Sequence, residues 1–103
     1  MIAVSDAAGT WRGGITAEVY WDWLEIQDFW LDESYRGQGL GRALLAQMEG
    51  LAIERDAAKA LLSTFAFQAR TFYERWGYEV VGEVEDYPPG SSLFTMVKQL
   101  CPR

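Results

Sequence analysis

Between residues 34 and 42 the chain reads Ser34-Tyr35-Arg36-Gly37-Gln38-Gly39-Leu40-Gly41-Arg42. Glycines leading into a helix expose backbone N–H groups at the positive end of its dipole, which makes a ready anion site. Arg36 and Arg42 flank the segment and would add charge-assisted hydrogen bonds to a phosphate. Two familiar phosphate loops fit poorly. A P-loop carries Gly-Lys-Ser/Thr after its spacer, and no Lys follows Gly41; the dinucleotide fingerprint needs glycine three residues after Gly39, where this chain has Arg42. Taken alone, the glycines also fit a tight turn that holds no ligand.

Composition narrows the chemistry further. The 103 residues include no histidine and one cysteine, Cys101. That excludes an internal disulfide, a cysteine or histidine metal cage, a serine–histidine triad and a histidine base. What remains is carboxylates, tyrosines, backbone groups or a bound cofactor, and no metal is expected. The net charge of −6 argues against a nucleic-acid partner. It is unevenly spread: residues 1–33 carry seven acids and one base, whereas residues 34–75 carry four acids and six bases. The middle suits an anion and the first third a cationic or amine-bearing acceptor, unless the acids form only a solvated surface. There is no signal peptide and no apolar run of membrane-spanning length, so a cytoplasmic protein with no membrane contact is expected. The length fits one domain, residues 1–103.

Elements must then position these groups. Ile2–Ser5 reads as a short first strand, and Asp6–Gly9 as a turn. Gly13-Gly14 reads as a second break, after which Ile15, Ala17 and Val19 alternate with polar residues as a half-buried strand. From Tyr20 to Asp32 the period slips. Leu24 and Ile26 occupy even positions but Phe29 and Leu31 odd ones. One extra residue near Gln27–Asp28, a β-bulge, would return all four to one face; the alternative is a strand buried on both faces. Leu40, Leu44, Met48 and Leu51 recur at helical spacing, closed by Glu54-Arg55-Asp56. Ala60–Phe65 reads as a central strand. Ala69, Phe72, Tyr73 and Trp76 form a second helical stripe stopped by Gly77. Tyr78–Glu85 and Leu93–Leu100 read as strands around a Pro88-Pro89-Gly90 turn. The order implies a mixed-sheet α+β fold.

Arg36-Gly37-Gln38-Gly39-Leu40-Gly41 resembles the Arg/Gln-x-x-Gly-x-Gly/Ala signature of the GNAT superfamily, the acyl-CoA-dependent N-acetyltransferases. Phe29–Tyr35 looks like that family's acyl-CoA-binding strand, and Phe67–Tyr78 is similar to its second signature, with an aromatic pair before a Gly-aromatic step. The resemblance runs from about residue 9 to residue 100. It implies the GNAT fold, a central mixed sheet with helices packed on it, in which the bulged strand splays from the next parallel strand and opens a slot for pantetheine. By that likeness Phe29, Trp30 and Leu31 would bond the pantetheine amides. The N–H groups of Gln38 to Arg42, with Arg36 and Gly37 before them, would cradle the pyrophosphate. Gln68 and Phe72 would touch the CoA arm.

The resemblance also implies a reaction: direct attack of an amine on the thioester of acetyl-CoA. Tyr73 matches the residue that assists the departing thiolate, although its place on the apolar stripe also fits a core tyrosine. Glu25, just ahead of the slip, is the candidate base, with Glu18, Asp22 and Asp28 as alternatives. Trp21, Trp23 and Trp30 fit a core or dimer contact, or the wall of an acceptor pocket. Against the family, the chain starts about where the second family strand starts, without the usual first strand and two helices. Apolar sheet surface would then be left bare, and a homodimer or higher homo-oligomer is expected to cover it. Besides an active enzyme, the pattern admits a catalytically silent acyl-CoA-binding module or an interaction module on a shortened fold.

Overall fold

The computed structural model describes residues 2–5, 7–35, 39–66 and 69–100. Strands β1 (Ile2–Ser5), β2 (Trp11–Tyr20) and β3 (Trp23–Leu31) lead through a short 3-10 turn at Glu33–Tyr35 to helix α1 (Leu40–Glu54). Strand β4 (Lys59–Phe65), helix α2 (Arg70–Arg75) and strands β5 (Glu79–Glu85) and β6 (Ser92–Gln99) follow. The strands form one six-stranded sheet in the order β1-β2-β3-β4-β6-β5. The β3–β4 pair is parallel and every other pair antiparallel.

The period slip in β3 is a bulge. Thr16 lies opposite Asp28 and Ala17 opposite Ile26, so Gln27 is the residue without a partner. The extra residue places Leu24, Ile26, Phe29 and Leu31 on one face, where Leu24 and Ile26 are buried and Phe29 and Leu31 pack against the core. Trp30 falls on the opposite face, its indole close to Gly14, which is why it broke the apolar pattern. The same core takes Leu44, Leu45, Met48 and Ala52 from α1, Tyr73 from α2, and Ala60, Leu62, Phe94 and Met96 from the central strands. Among the described residues, both helices cover this one face.

Three sequence expectations change. Gly13-Gly14 is not a break but the buried middle of β2. A Cβ on Gly13 would come within 2.6 Å of Leu31 Cδ1 and 3.1 Å of the Trp30 carbonyl, and one on Gly14 within 3.2 Å of the Ile2 carbonyl. Glycine here permits close strand approach on both sides rather than a turn. Second, the buried stripe of α1 ends on Glu49 and Ala52, while Leu51 is exposed. Third, the tryptophans do not form a core cluster. Trp21 stands 92% exposed in the β2–β3 turn, Trp30 is exposed, and Trp23 is half-buried under the Lys59 ammonium at 5.2 Å.

The other sheet face carries Thr16, Glu18 and Tyr20 from β2 and Trp23 and Glu25 from β3, by strand alternation and register. Leu61, Ser63 and Phe65 of β4 and Leu93, Thr95 and Val97 of β6 continue it. No helix packs on this face among the described residues, and we call it the open face. Among the described residues, no helix is long and apolar enough to cross a membrane.

The two kinds of glycine separate experimentally. Gly13→Val is expected to cost about 1–3 kcal/mol through overpacking against β3. Gly50→Ala, in α1 with nothing within 4 Å of the added Cβ, is expected to stabilise by about 1 kcal/mol. Urea unfolding of both variants checks the contrast.

Candidate functional site

Parallel pairing of β3 with β4 covers only Trp23–Glu25 against Lys59–Leu61. Beyond Glu25 the strands part, and the bulge at Gln27 turns β3 away. The gap widens into a cleft of about 1070 Å³ lined by both diverging strands, the start of α1 and one side of α2. A smaller cavity of about 400 Å³ lies at the same vertex, lined by Glu25, Ile26, Gln27, Leu61, Leu62 and Ser63. Ile26, Gln27, Leu62 and Ser63 belong to both. The two cavities therefore adjoin at the splay, with α2 beside the larger and Glu25 lining the smaller.

At the cleft's far end Gly39 precedes α1 with φ 78° and provides no side-chain cap. Its carbonyl accepts from the Ala43 N–H at 3.1 Å, while the N–H groups of Leu40, Gly41 and Arg42 point out of the first turn. Only glycine adopts this backbone without strain. Gly41 lies 3.6 Å from the Phe72 ring on α2, counted from the position a Cβ would take. That contact brings the two helices together over the cleft.

Of the residues singled out from the sequence, Phe29, Trp30, Leu31, Gly39, Gly41, Arg42, Phe72 and Tyr73 line this one cleft. Leu40 is half-buried at the start of α1 outside the lining. Arg36, Gly37, Gln38 and Gln68 lie outside the described residues. Glu25 is at the smaller cavity instead. Sequence reading missed Ser63, Thr64, Arg75 and Trp76, which also line the cleft. The polar pair Ser63-Thr64 closing an apolar strand was the available signal for two of them.

Tyr73 sits among aromatic rings: Phe29 at 6.3 Å, Phe72 at 5.4 Å and Tyr78 at 5.6 Å between centroids. Its phenol makes no hydrogen bond among the described residues, and it is not enclosed as the Trp76 indole nitrogen is. It opens on the cleft. Burial pushes the Tyr73 hydroxyl up to about 12, so it remains a neutral hydrogen-bond donor at physiological pH. Tyr78 behind it is raised further, first by burial and then by the charge of Glu49.

On the open face Glu25 and Glu18 are cross-strand neighbours. Glu18 accepts a hydrogen bond from Tyr20, and Asp28 accepts one from Thr16 Oγ1 at 3.2 Å. Asp22 is half-buried in the β2–β3 turn, where its backbone carbonyl accepts from Ala58 and Lys59. Glu25 has no such partner among the described residues and lines the smaller cavity.

A bulged strand splayed from a parallel neighbour, with an uncapped helix start at the end of the gap, is the arrangement that the resemblance to acyl-CoA-dependent N-acyltransferases implied, and the comparisons bear that class out. The chain belongs to the GNAT family: the family model for an acetyltransferase (GNAT) domain matches residues 2–80. It is 39% identical over 93 residues to blasticidin-S acetyltransferase of Streptomyces morookaense, covering 89% of this chain and 68% of that protein. The crystal structure of an acetyltransferase from Bacillus cereus superposes with a TM-score of 0.91 at 40% identity, covering 95% of this chain and 70% of that one. An aminoglycoside 6′-N-acetyltransferase complexed with coenzyme A shares the fold at 19% identity, with a TM-score of 0.85 over 98% of this chain and 72% of that one. The chain thus spans about two-thirds of its curated relative's length.

The raised tyrosines fix a pH dependence. Folding favours their protonated form, so this contribution is complete below the free tyrosine value of 10 and falls as pH climbs through about 12. Urea unfolding followed at intervals from pH 8 to pH 11 is expected to give constant stability up to about pH 10 and a loss above it. Tyr73→Phe is expected to make that loss shallower.

Proposed function

We propose that this chain is an N-acetyltransferase that moves an acetyl group from acetyl-CoA to a primary amine by direct attack. The observation that carries the reading is the pair of adjoining cavities at the splay, with Tyr73 lining the larger and Glu25 the smaller. The residues present suit an extended donor. Strand β3 loses its β4 partner beyond Glu25, leaving edge backbone available to amides, and the free N–H groups of α1 suit a pyrophosphate. Acetyl-CoA supplies an acyl group activated as a thioester.

The catalytic residues of this reading are Tyr73 and Glu25. Glu25 accepts a proton from the amine, directly or through one water, as nitrogen bonds to the acyl carbon and the carbon–sulfur bond breaks. Tyr73 donates its phenolic proton to the departing sulfur, which leaves as the thiol, and the tyrosinate is reprotonated from solvent as Glu25 gives up the amine's proton. Phe29, Trp30, Leu31 and Phe72 hold the donor's arm, with Gln68. The segment Arg36, Gly37, Gln38, Gly39, Leu40, Gly41 and Arg42 holds its phosphates. The acceptor enters from the open face, where Glu18, Glu25, Tyr20 and Trp23 offer charge and ring surface to a cationic amine. Kinship with a blasticidin-S acetyltransferase supports a small-molecule acceptor.

In this reading residues 1–103 act as one unit, and a second copy covers the β4–β6 part of the open face, leaving the acidic β2–β3 part to the acceptor. The support is the apolar side chains Phe65, Leu93 and Val97, with no helix upon them among the described residues. Sedimentation equilibrium is expected to give twice the chain mass; a stable monomer at about 100 μM would remove this part of the reading, because apolar faces of this size seldom stay bare.

Calorimetry with acetyl-CoA, followed by thiol release over a panel of amines, tests the activity. Tyr73→Phe is expected to lower kcat about a hundredfold while changing acetyl-CoA affinity less than about twofold. Glu25→Gln is expected to lower kcat similarly, with part of the loss recovered at high pH, where the amine deprotonates unaided. Binding with no turnover of any amine would favour a silent acyl-CoA module. Lack of binding at millimolar ligand would leave an interaction module.

A further inference from the structure

Two arginines line the cleft where α1 begins and α2 ends. The Arg42 guanidinium lies 4.2 Å from the centre of the Trp76 ring, a stacking that fixes a planar cation without using its hydrogen-bond donors. Arg75 closes α2 and is exposed. Neither has an ion pair or side-chain hydrogen bond among the described residues. Three other cations are paired, Arg12 with Asp32, Arg70 with Glu74 and Lys98 with Glu49, and Arg55 and Lys59, which have no ion pair among the described residues, do not line the cleft. The single carboxylate of the lining, Asp28, belongs to the bulge and is engaged by Thr16. The positive charge at this end of the cleft is therefore uncompensated.

The N–H groups at the start of α1 account for one anionic group, and Arg42 does not serve them here because its head is turned onto Trp76. Phe72, which packs on Gly41, and Arg75 are three residues apart and share one side of α2. A donor lying across Phe72 would carry its next charged group toward Arg75 and Arg42.

We propose that Arg75, together with Arg42 braced on Trp76, forms a subsite for the 3′-phosphate of the donor's ribose, so that the enzyme distinguishes coenzyme A from its 3′-dephospho form. The proposal rests on the acyl-CoA reading above. A phosphate monoester is close to a dianion at neutral pH, and two guanidinium forks meet it with bidentate, charge-assisted hydrogen bonds. Arg75 acts only on the donor's anionic end; it is two residues from Tyr73, about half a helical turn, and so on a different side of α2, which makes it a specificity residue and not a catalytic one.

The test is calorimetric titration of the protein with coenzyme A and with 3′-dephospho-coenzyme A, with no turnover required. The native protein is expected to bind coenzyme A about tenfold more tightly, and the preference to shrink as sodium chloride rises from about 50 to about 500 mM. Arg75→Ala is expected to abolish most of that preference while leaving the Kd for the dephospho form within about twofold, and Arg75→Lys to restore part of it. Circular dichroism establishes that each variant is folded. If both ligands bind equally to the native protein, or if Arg75→Ala, Arg42→Ala and the double variant all keep the preference, the subsite is refuted while the donor reading stands. If neither ligand binds, both fall.

Discussion

The site depends on one interrupted interaction, the hydrogen-bonded ladder of the parallel pair β3–β4. Three residue pairs hold β3 to β4, and then Gln27 is inserted on β3 and the ladder ends. Backbone polar groups that leave a ladder need other partners, and buried ones without them are costly. A sheet therefore opens in its middle only where something polar occupies the gap. In this chain the gap is roofed by Tyr73 and Phe72 and ends at the free N–H groups of α1, so its length presents donors and acceptors suited to an extended amide-bearing ligand. The glycines of β2 are part of the same arrangement. With β4 lost as a neighbour, the outer half of β3 relies on β2, and Gly13 lets Leu31 lie directly over it.

The roof is held by a charge that the core would not otherwise accept. Glu49 on α1 is nearly enclosed, accepts the Tyr78 hydroxyl at 2.8 Å and pairs with the Lys98 ammonium at 3.0 Å. An isolated carboxylate there would be strongly unfavourable, so Glu49 is tolerable only in one pose, with both partners in reach. That requirement couples three separated elements: α1, the turn after α2 and β6. Tyr78 in turn packs against Tyr73. The phenol at the cleft rests on a ring whose own hydroxyl is anchored to the helix that starts the anion site. A buried ion pair adds little net stability, and its value here is in fixing how the two helices meet above the gap.

How much of this was legible follows from the range of each signal. The bulge was readable because a period-two pattern has only two phases, and Leu24, Ile26, Phe29 and Leu31 occupy both. The anion loop was readable because glycine spacing before a helix is local. Gly13-Gly14 was misread for the same reason. Adjacent glycines look like a turn, and the need for close approach arises from Leu31, Trp30 and Ile2, residues distant in sequence. Leu51 was assigned to the buried face of α1 over Glu49 because a carboxylate reads as solvated, and the lysine that makes its burial possible lies 49 residues away. The pairing of Arg42 with Trp76 depends on the crossing of two helices, which no window of sequence contains.

The open face carries the last consequence. In the proposed reading the two sides of the splay have different chemical demands. The helix side would hold the anionic donor and offers, among the described residues, backbone N–H groups, two arginines without an ion pair and a neutral phenol. The open side offers Glu18 and Glu25 side by side, where a cation is favoured and a second anion is not. The uneven charge of the sequence, acidic in its first third and basic in its middle, is thus resolved in space: the acids of β2 and β3 and the bases of α1 and α2 lie across the sheet from one another. A reaction that joins an anionic donor to a cationic acceptor needs each to approach from its own side. The splay at Gln27 is the point where the two sides meet.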